Sequence, residues 1–200
     1  MKLFGVSIGE ENAKLGGVFN FSLPSHKTCP GASPWCLTHC YARRLEQLRP
    51  TCRRAYEANL TLAQDQQEFR RVMIGVLPRI LECFRIHVSG DFFDAQYVRC
   101  WTEVCAAFPR TRFWAYTRSW AVPELSNALA ELRDAPNVQL IASTDRDMAL
   151  PSAGWRVAFV RGDPRADGRP CSAQTGRHES CLACGYCFRQ DAGNVVFTVH

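Results

Sequence analysis

Eleven of the 200 residues are cysteine, and seven of them fall into two groups. The first group is Cys29, Cys36 and Cys40, within KTCPGASPWCLTHCYARR. Pro30, Gly31 and Pro34 predict a tight loop able to wrap an object rather than to continue a strand. Cys36 and Cys40 stand four apart and share a helix face if a helix starts near Cys36. Three thiolates from one loop suit a metal cluster; the alternative is three cysteines buried as small hydrophobes.

The second group is Cys171, Cys181, Cys184 and Cys187, within PCSAQTGRHESCLACGYCF. Its C-x2-C-x2-C core has the spacing of ferredoxin-type loops, in which successive thiolates reach separate irons. Zinc favours two separated C-x2-C pairs, so a [4Fe-4S] cluster is the first expectation here and zinc the alternative. Four thiolates close a cubane, whereas three leave one iron open to a small ligand. The seven cysteines thus divide as an open and a closed site, unless the groups cooperate in one site with spare thiols. Cys52, Cys83, Cys100 and Cys105 lack ligand spacing and read as core.

Around these groups the chain alternates strand and helix. Strands are expected at 17–23, 85–89, 112–117, 138–143, 156–160 and 194–199, with a short edge strand at 3–8. Helical stretches fill 37–48, 57–83, 94–108 and 122–133, interrupted at Pro50 and Pro78. This predicts one α/β domain over residues 1–200. Its sheet is mostly parallel and six-stranded, either open or an incomplete TIM-like barrel. Residues 161–191 form a long cysteine loop inserted before the last strand, which needs something besides a core to order it.

In such a sheet the functional loops leave the C-terminal ends of the strands. The first cysteine group, Gly90-Asp91, Arg118, Asp145-Arg146 and the second cysteine group all follow strands, so all are expected on one rim. Asp91 is either a ligand-binding carboxylate or a cap for the helix starting near Asp94. Arg118, Asp145 and Arg146 could bind a polar substrate or form surface ion pairs. His39 and His178 could complete a cluster or bond within their loops, and His87 reads as a core residue. Trp114, Tyr116 and Trp120 could stack a base or pack the core.

Net charge is 24 − 19 = +5, and arginine supplies almost all of the basic residues. Arginine suits planar anions, so a phosphate-bearing partner is plausible beside a merely basic surface. Arg43, Arg44, Arg49, Arg53 and Arg54 form either a phosphate-binding stripe or a solvated helix face. With 46% hydrophobic and 22% charged residues, the composition excludes disorder, collagen and coiled coil. No run is long enough to span a membrane and no signal peptide is evident. Together with the many thiols this predicts a cytoplasmic protein with no membrane contact.

The segments FSLPSHKTCPGASPWCLTHCYARR, RIHVSGDFFDAQYVRCW, RFWAYTRSW and CSAQTGRHESCLACGYCF resemble those of a bacteriophage family known as gene product 88. That resemblance implies a phage or prophage origin, hence a host cytoplasm, and no settled mechanism. A second resemblance is to radical S-adenosylmethionine enzymes, whose three-cysteine motif follows the first barrel strand and is often followed by Tyr-Ala-Arg. Here Cys40 precedes Tyr41-Ala42-Arg43, and Ser89-Gly90-Asp91 is similar to the glycine-rich turn that meets the methionine amino group. The cysteine spacing here is C-x6-C-x3-C, where that superfamily uses C-x3-C-x2-C.

These likenesses imply S-adenosylmethionine as a further cofactor, with Tyr41, Ser89, Gly90 and Asp91 contacting it. Asp91, Arg118 and Asp145 would stand as catalytic residues. The expected protein is an iron-sulfur enzyme with two [4Fe-4S] sites acting on a nucleotide or nucleic acid, served by a reductant protein. The alternative is a non-catalytic nucleic-acid-binding module stapled by clusters or zinc.

Overall fold

A computed structural model describes residues 2, 3, 6–9 and 14–199. One sheet of nine strands organises them, in the order β1-β2-β3-β4-β5-β6-β7-β9-β8. An edge hairpin of β1 (Lys2–Leu3) and β2 (Val6–Gly9) pairs antiparallel and joins antiparallel to β3 (Phe19–Phe21). From there the sheet is parallel through β4 (Cys83–Ile86), β5 (Arg112–Thr117), β6 (Val138–Ser143) and β7 (Arg156–Val160). Beyond β7 lie β9 (Val195–Phe197) and the two-residue β8 (Arg169–Pro170), both also parallel.

All six principal strands expected from the sequence are present. The hairpin and β8 raise the count from six to nine, because pieces of two to four residues are too short to show a period. The edge strand expected at 3–8 divides between β1 and β2, with residues 4 and 5 outside the described set. The sheet is open, with β1 and β8 at its margins, and does not close into a barrel.

The helices are α1 (Pro34–Thr38), α2 (Tyr41–Leu48), α3 (Pro50–Gln64), α4 (Gln66–Val76), α5 (Ala95–Ala107) and α6 (Ser126–Arg133). Pro50 opens α3 at its first position, where a missing N–H costs nothing, instead of interrupting a helix. Asp65 caps α4 by accepting from Glu68 N, and so splits the expected 57–83 stretch in two.

Consecutive parallel strands joined by right-handed crossovers place their helices on one face. Phe84, Ile86, Phe113, Ala115, Val138 and Leu140 turn to that face and pack with Phe69, Met73, Trp101, Val104, Leu129 and Leu132. The alternate residues point the other way. Cys83 and Trp114 meet Leu15, Val18 and Phe188, while Ile141, Ala158 and Val195 meet Cys171. The 161–191 segment therefore lies across the sheet face opposite the helices. It carries β8, a single helical turn α7 (Cys181–Cys184) and a 3-10 turn at Tyr186–Phe188. Core contact helps to order it, contrary to the expectation of a loop without a core: Phe188 packs on Trp114 at 5.0 Å between ring centroids.

Candidate functional site

The first cysteine loop is built from caps. Ser33 caps α1, accepting from Cys36 N at 3.0 Å, and its hydroxyl donates to Asp145 Oδ2 at 2.6 Å. The helix ends after Thr38, and Cys40 caps the next one, its Sγ accepting from Arg43 N at 3.4 Å. Cys36 and Cys40 therefore stand on two successive helices rather than on one face of a single helix. A break at His39 re-aims the chain between them.

Two glycines dock this loop on its neighbours. A Cβ on Gly31 would fall on the Arg118 backbone carbonyl. Gly90 has φ +77° and would bring a Cβ to 2.6 Å from both Leu23 Cβ and Thr28 Oγ1. No other residue fits either place without moving the loop.

Buried carboxylates fix the rim from below. Asp91 accepts from Phe92 N at 2.8 Å, Thr117 Oγ1 at 2.7 Å and Arg118 N at 2.7 Å, so its oxygens are taken up inside the protein. Burial pushes its pKa up, and these bonds oppose that shift. The cap of α5 is Asp94, accepting from Tyr97 N at 2.7 Å, and not Asp91. Arg118 and Asp145 form a buried ion pair with each other, not a surface one. Arg146 is exposed.

Glu46, which sequence reasoning missed, is 3% exposed and accepts from Ser25 N at 2.9 Å and Ser89 Oγ at 3.0 Å. Its place on the buried face of α2, at i+4 from Ala42, was the only available signal. Tyr41 donates its hydroxyl to the Val88 carbonyl. Of the four residues expected around a methionine group, Tyr41, Ser89 and Asp91 thus have protein partners, and Gly90 makes the close turn.

The second cysteine loop hangs on Arg156 of β7. Its guanidinium donates to the carbonyls of Gly193 (2.6 Å), Cys187 (3.1 Å), Tyr186 (3.1 Å) and Arg189 (3.3 Å). Ser180 caps α7, accepting from Ala183 N, and Cys181 N donates to the Lys14 carbonyl at 2.8 Å. All four cysteines, Cys171, Cys181, Cys184 and Cys187, line one small cavity of about 20 Å³.

Both loops face a half-open cleft of about 310 Å³. Cys29, Cys36 and Cys40 line it together with Asp91, Arg118 and Tyr41, and so do Cys171, Cys181 and Cys187. Between them run Lys14, Arg85, Trp114 and Tyr116. Arg85 Nε donates to the His87 carbonyl at 3.1 Å, and its guanidinium lies 5.2 Å from the Tyr116 ring centre. Burial raises the Cys29, Cys36 and Cys187 thiols and pushes Cys181 up to about 11; Arg85 opposes the rise at Cys181 and Cys187. Sequence reasoning missed Arg85 and Lys14, since one strand arginine and one loop lysine carry no motif.

Among the described residues, no three His, Cys, Asp or Glu side chains come together closely enough to hold a single metal ion. His87 is buried, with φ 61° and its Nε2 2.8 Å from the Tyr97 hydroxyl. His39 stacks on Trp35 at 4.4 Å between ring centres, and its Nδ1 lies 2.9 Å from the Trp35 carbonyl, a bond within its own loop. Trp114 packs in the core and Trp120 donates to the Ser143 carbonyl at 2.9 Å. Cys83, Cys100 and Cys105 are buried as expected, and Cys52 is half-buried.

The family model described as Gene product 88 matches residues 6–184, which take in the first cysteine group, the rim, and Cys171, Cys181 and Cys184 of the second group. The chain belongs to the Gene product 88 family. Similar curated proteins include the Gene 88 protein of Mycobacterium phage D29, 27% identical over 208 residues, covering 88% of this chain and 85% of the relative. The Gene 88 protein of Mycobacterium phage L5 is 34% identical over 167 residues, covering 74% and 68%. Both relatives are bacteriophage proteins, in keeping with the origin expected for the family. No solved structure matches the chain. No helix among the described residues is long and apolar enough to cross a membrane.

Proposed function

We propose that this chain is an iron-sulfur enzyme with two [4Fe-4S] clusters. A closed one would be held by Cys171, Cys181, Cys184 and Cys187, and an open one by Cys29, Cys36 and Cys40. The observation that carries the reading is the meeting of both thiol groups on one cleft, beside Arg85, Lys14 and the buried Arg118–Asp145 pair. The donor set is all thiol, the ligand type that iron-sulfur clusters use. A cubane asks each thiolate to reach a separate iron, so it needs wider-set sulfurs than a tetrahedral zinc with Zn–S of about 2.3 Å. What supports giving the second loop one shared site is that Cys171, Cys181, Cys184 and Cys187 all line the same small cavity.

When bound, a cluster on Cys29, Cys36 and Cys40 would leave one iron open to a small ligand, which by resemblance would be S-adenosylmethionine, and would supply single electrons. The electrons would come from a reductant protein. The protein's own residues position and shield. Ser33, Asp145 and Arg118 hold the first loop on the rim, and Asp91 and Glu46 hold the turns beneath it. Arg85 and Lys14 bring positive charge to a place where thiolate-ligated clusters would carry negative charge. The single-face winding of β3 to β7 supports reading the sheet as a partial TIM-like barrel with the cleft in its mouth.

Replacing Cys36 tests the assignment. Cys36→Ser, purified without oxygen, should lose about half of the iron while the closed cluster stays. Full iron and sulfide in that variant would overturn the open site.

A further inference from the structure

Beyond the clusters, five arginines crowd one corner of the surface. Arg43 and Arg44 lie in the first turn of α2, Arg49 at the junction, and Arg53 and Arg54 in the opening turns of α3. All five are exposed, and among the described residues none forms an ion pair. Neither helix has an acidic residue in its first turn. Cations near the positive end of a helix dipole are repelled by it. Glu46 is turned inward to Ser25 and Ser89, and Glu57 is engaged by Lys27. The corner is thus a concentration of positive charge that the fold itself does not neutralise.

A second feature adjoins it. Trp35 and His39 stack with ring centres 4.4 Å apart and planes within 16°. Both line the cleft, His39 is exposed and Trp35 half-exposed. Tyr41 and Ala42, also lining the cleft, lead straight into Arg43. From the cleft edge to the α2–α3 junction is one eight-residue helix, about 12 Å, or a few nucleotides.

We infer that this corner binds single-stranded nucleic acid, its phosphates on the arginines and a base stacked on the Trp35–His39 pair at the cleft edge. Arginines with an adjoining aromatic platform are the usual means of holding single strands. Stacking requires an unpaired base, and a cleft of about 310 Å³ lies at the small end of ligand pockets, too small for a base-paired helix. The surface goes beyond the cluster reading and does not depend on it, since neither the arginines nor the stacked rings are cluster ligands.

The test is fluorescence anisotropy of the full chain, as purified and with its iron content measured, against a labelled 12-nucleotide DNA strand over a salt series. Duplex DNA and heparin serve as competitors. The expected slope of log K against log salt is about −3.5, from about −0.7 for each of the five arginines engaged. Changing Arg43, Arg44, Arg53 and Arg54 together to Gln should flatten it to about −0.7 without altering iron content or helix signal. Trp35→Ala should weaken the single strand about tenfold and leave heparin binding as it was. Failure to bind, or a slope unchanged in the glutamine variant, overturns the surface. Equal binding of heparin or duplex with no effect of Trp35→Ala overturns the single-strand assignment. Loss of iron with binding retained would count against the clusters alone.

Discussion

Asp91 accepts from two backbone N–H groups and the Thr117 hydroxyl, and so holds the β4 and β5 loops together. Asp91→Asn sets an amide NH2 against one of those donors and should destabilise the fold by about 1–3 kcal/mol, read by urea denaturation. His87 gives a pH signature. Burial and the nearby Arg85 push it down to about 3 from an ordinary 6.5. A depressed folded pKa contributes stability that is whole above about pH 6.5 and is lost as pH falls toward 3. The melting temperature should therefore drop between pH 7 and 4, and His87→Asn, which tolerates the positive φ, should flatten that drop. The sequence identified Asp91 as a carboxylate at a strand end and His87 as core. It could not say where the Asp91 oxygens go, because Thr117 and Arg118 lie 26 and 27 residues away.

At the scale of elements, the two cysteine loops are held by separate devices and should fail separately. Gly31→Ala drives a methyl into the Arg118 carbonyl and should displace the first loop, removing about half of the iron while the sheet still melts cooperatively. Arg156→Met removes three donations to the second loop and one to Gly193 just beyond it, and should cost the other half. Iron analysis beside circular dichroism reads both. Strand–helix alternation was legible because β5 and β6 are long and apolar, and α5 carries Val98, Trp101, Val104 and Cys105 at helix spacing. The break between α1 and α2 was not, since a cysteine serving as a helix cap does not read as a stop signal. Nor was the hold of Arg156 on carbonyls 30 to 37 residues away.

For the whole molecule, the decisive arrangement is that a one-sided helical layer leaves the other sheet face to the second cysteine loop, which brings both thiol groups to one cleft. Spacing along the chain separated the two groups. Their meeting depends on the consecutive parallel order of β3 to β7, which is a property of the sheet and not of any motif. The central claim is that the seven thiols hold iron and sulfide. Iron, zinc and acid-labile sulfide, measured with an absorption spectrum on protein purified without oxygen, test it most directly. The account predicts about eight irons per chain with matching sulfide and a broad band near roughly 400 nm. Zinc without sulfide, or protein that takes up neither metal, would contradict it.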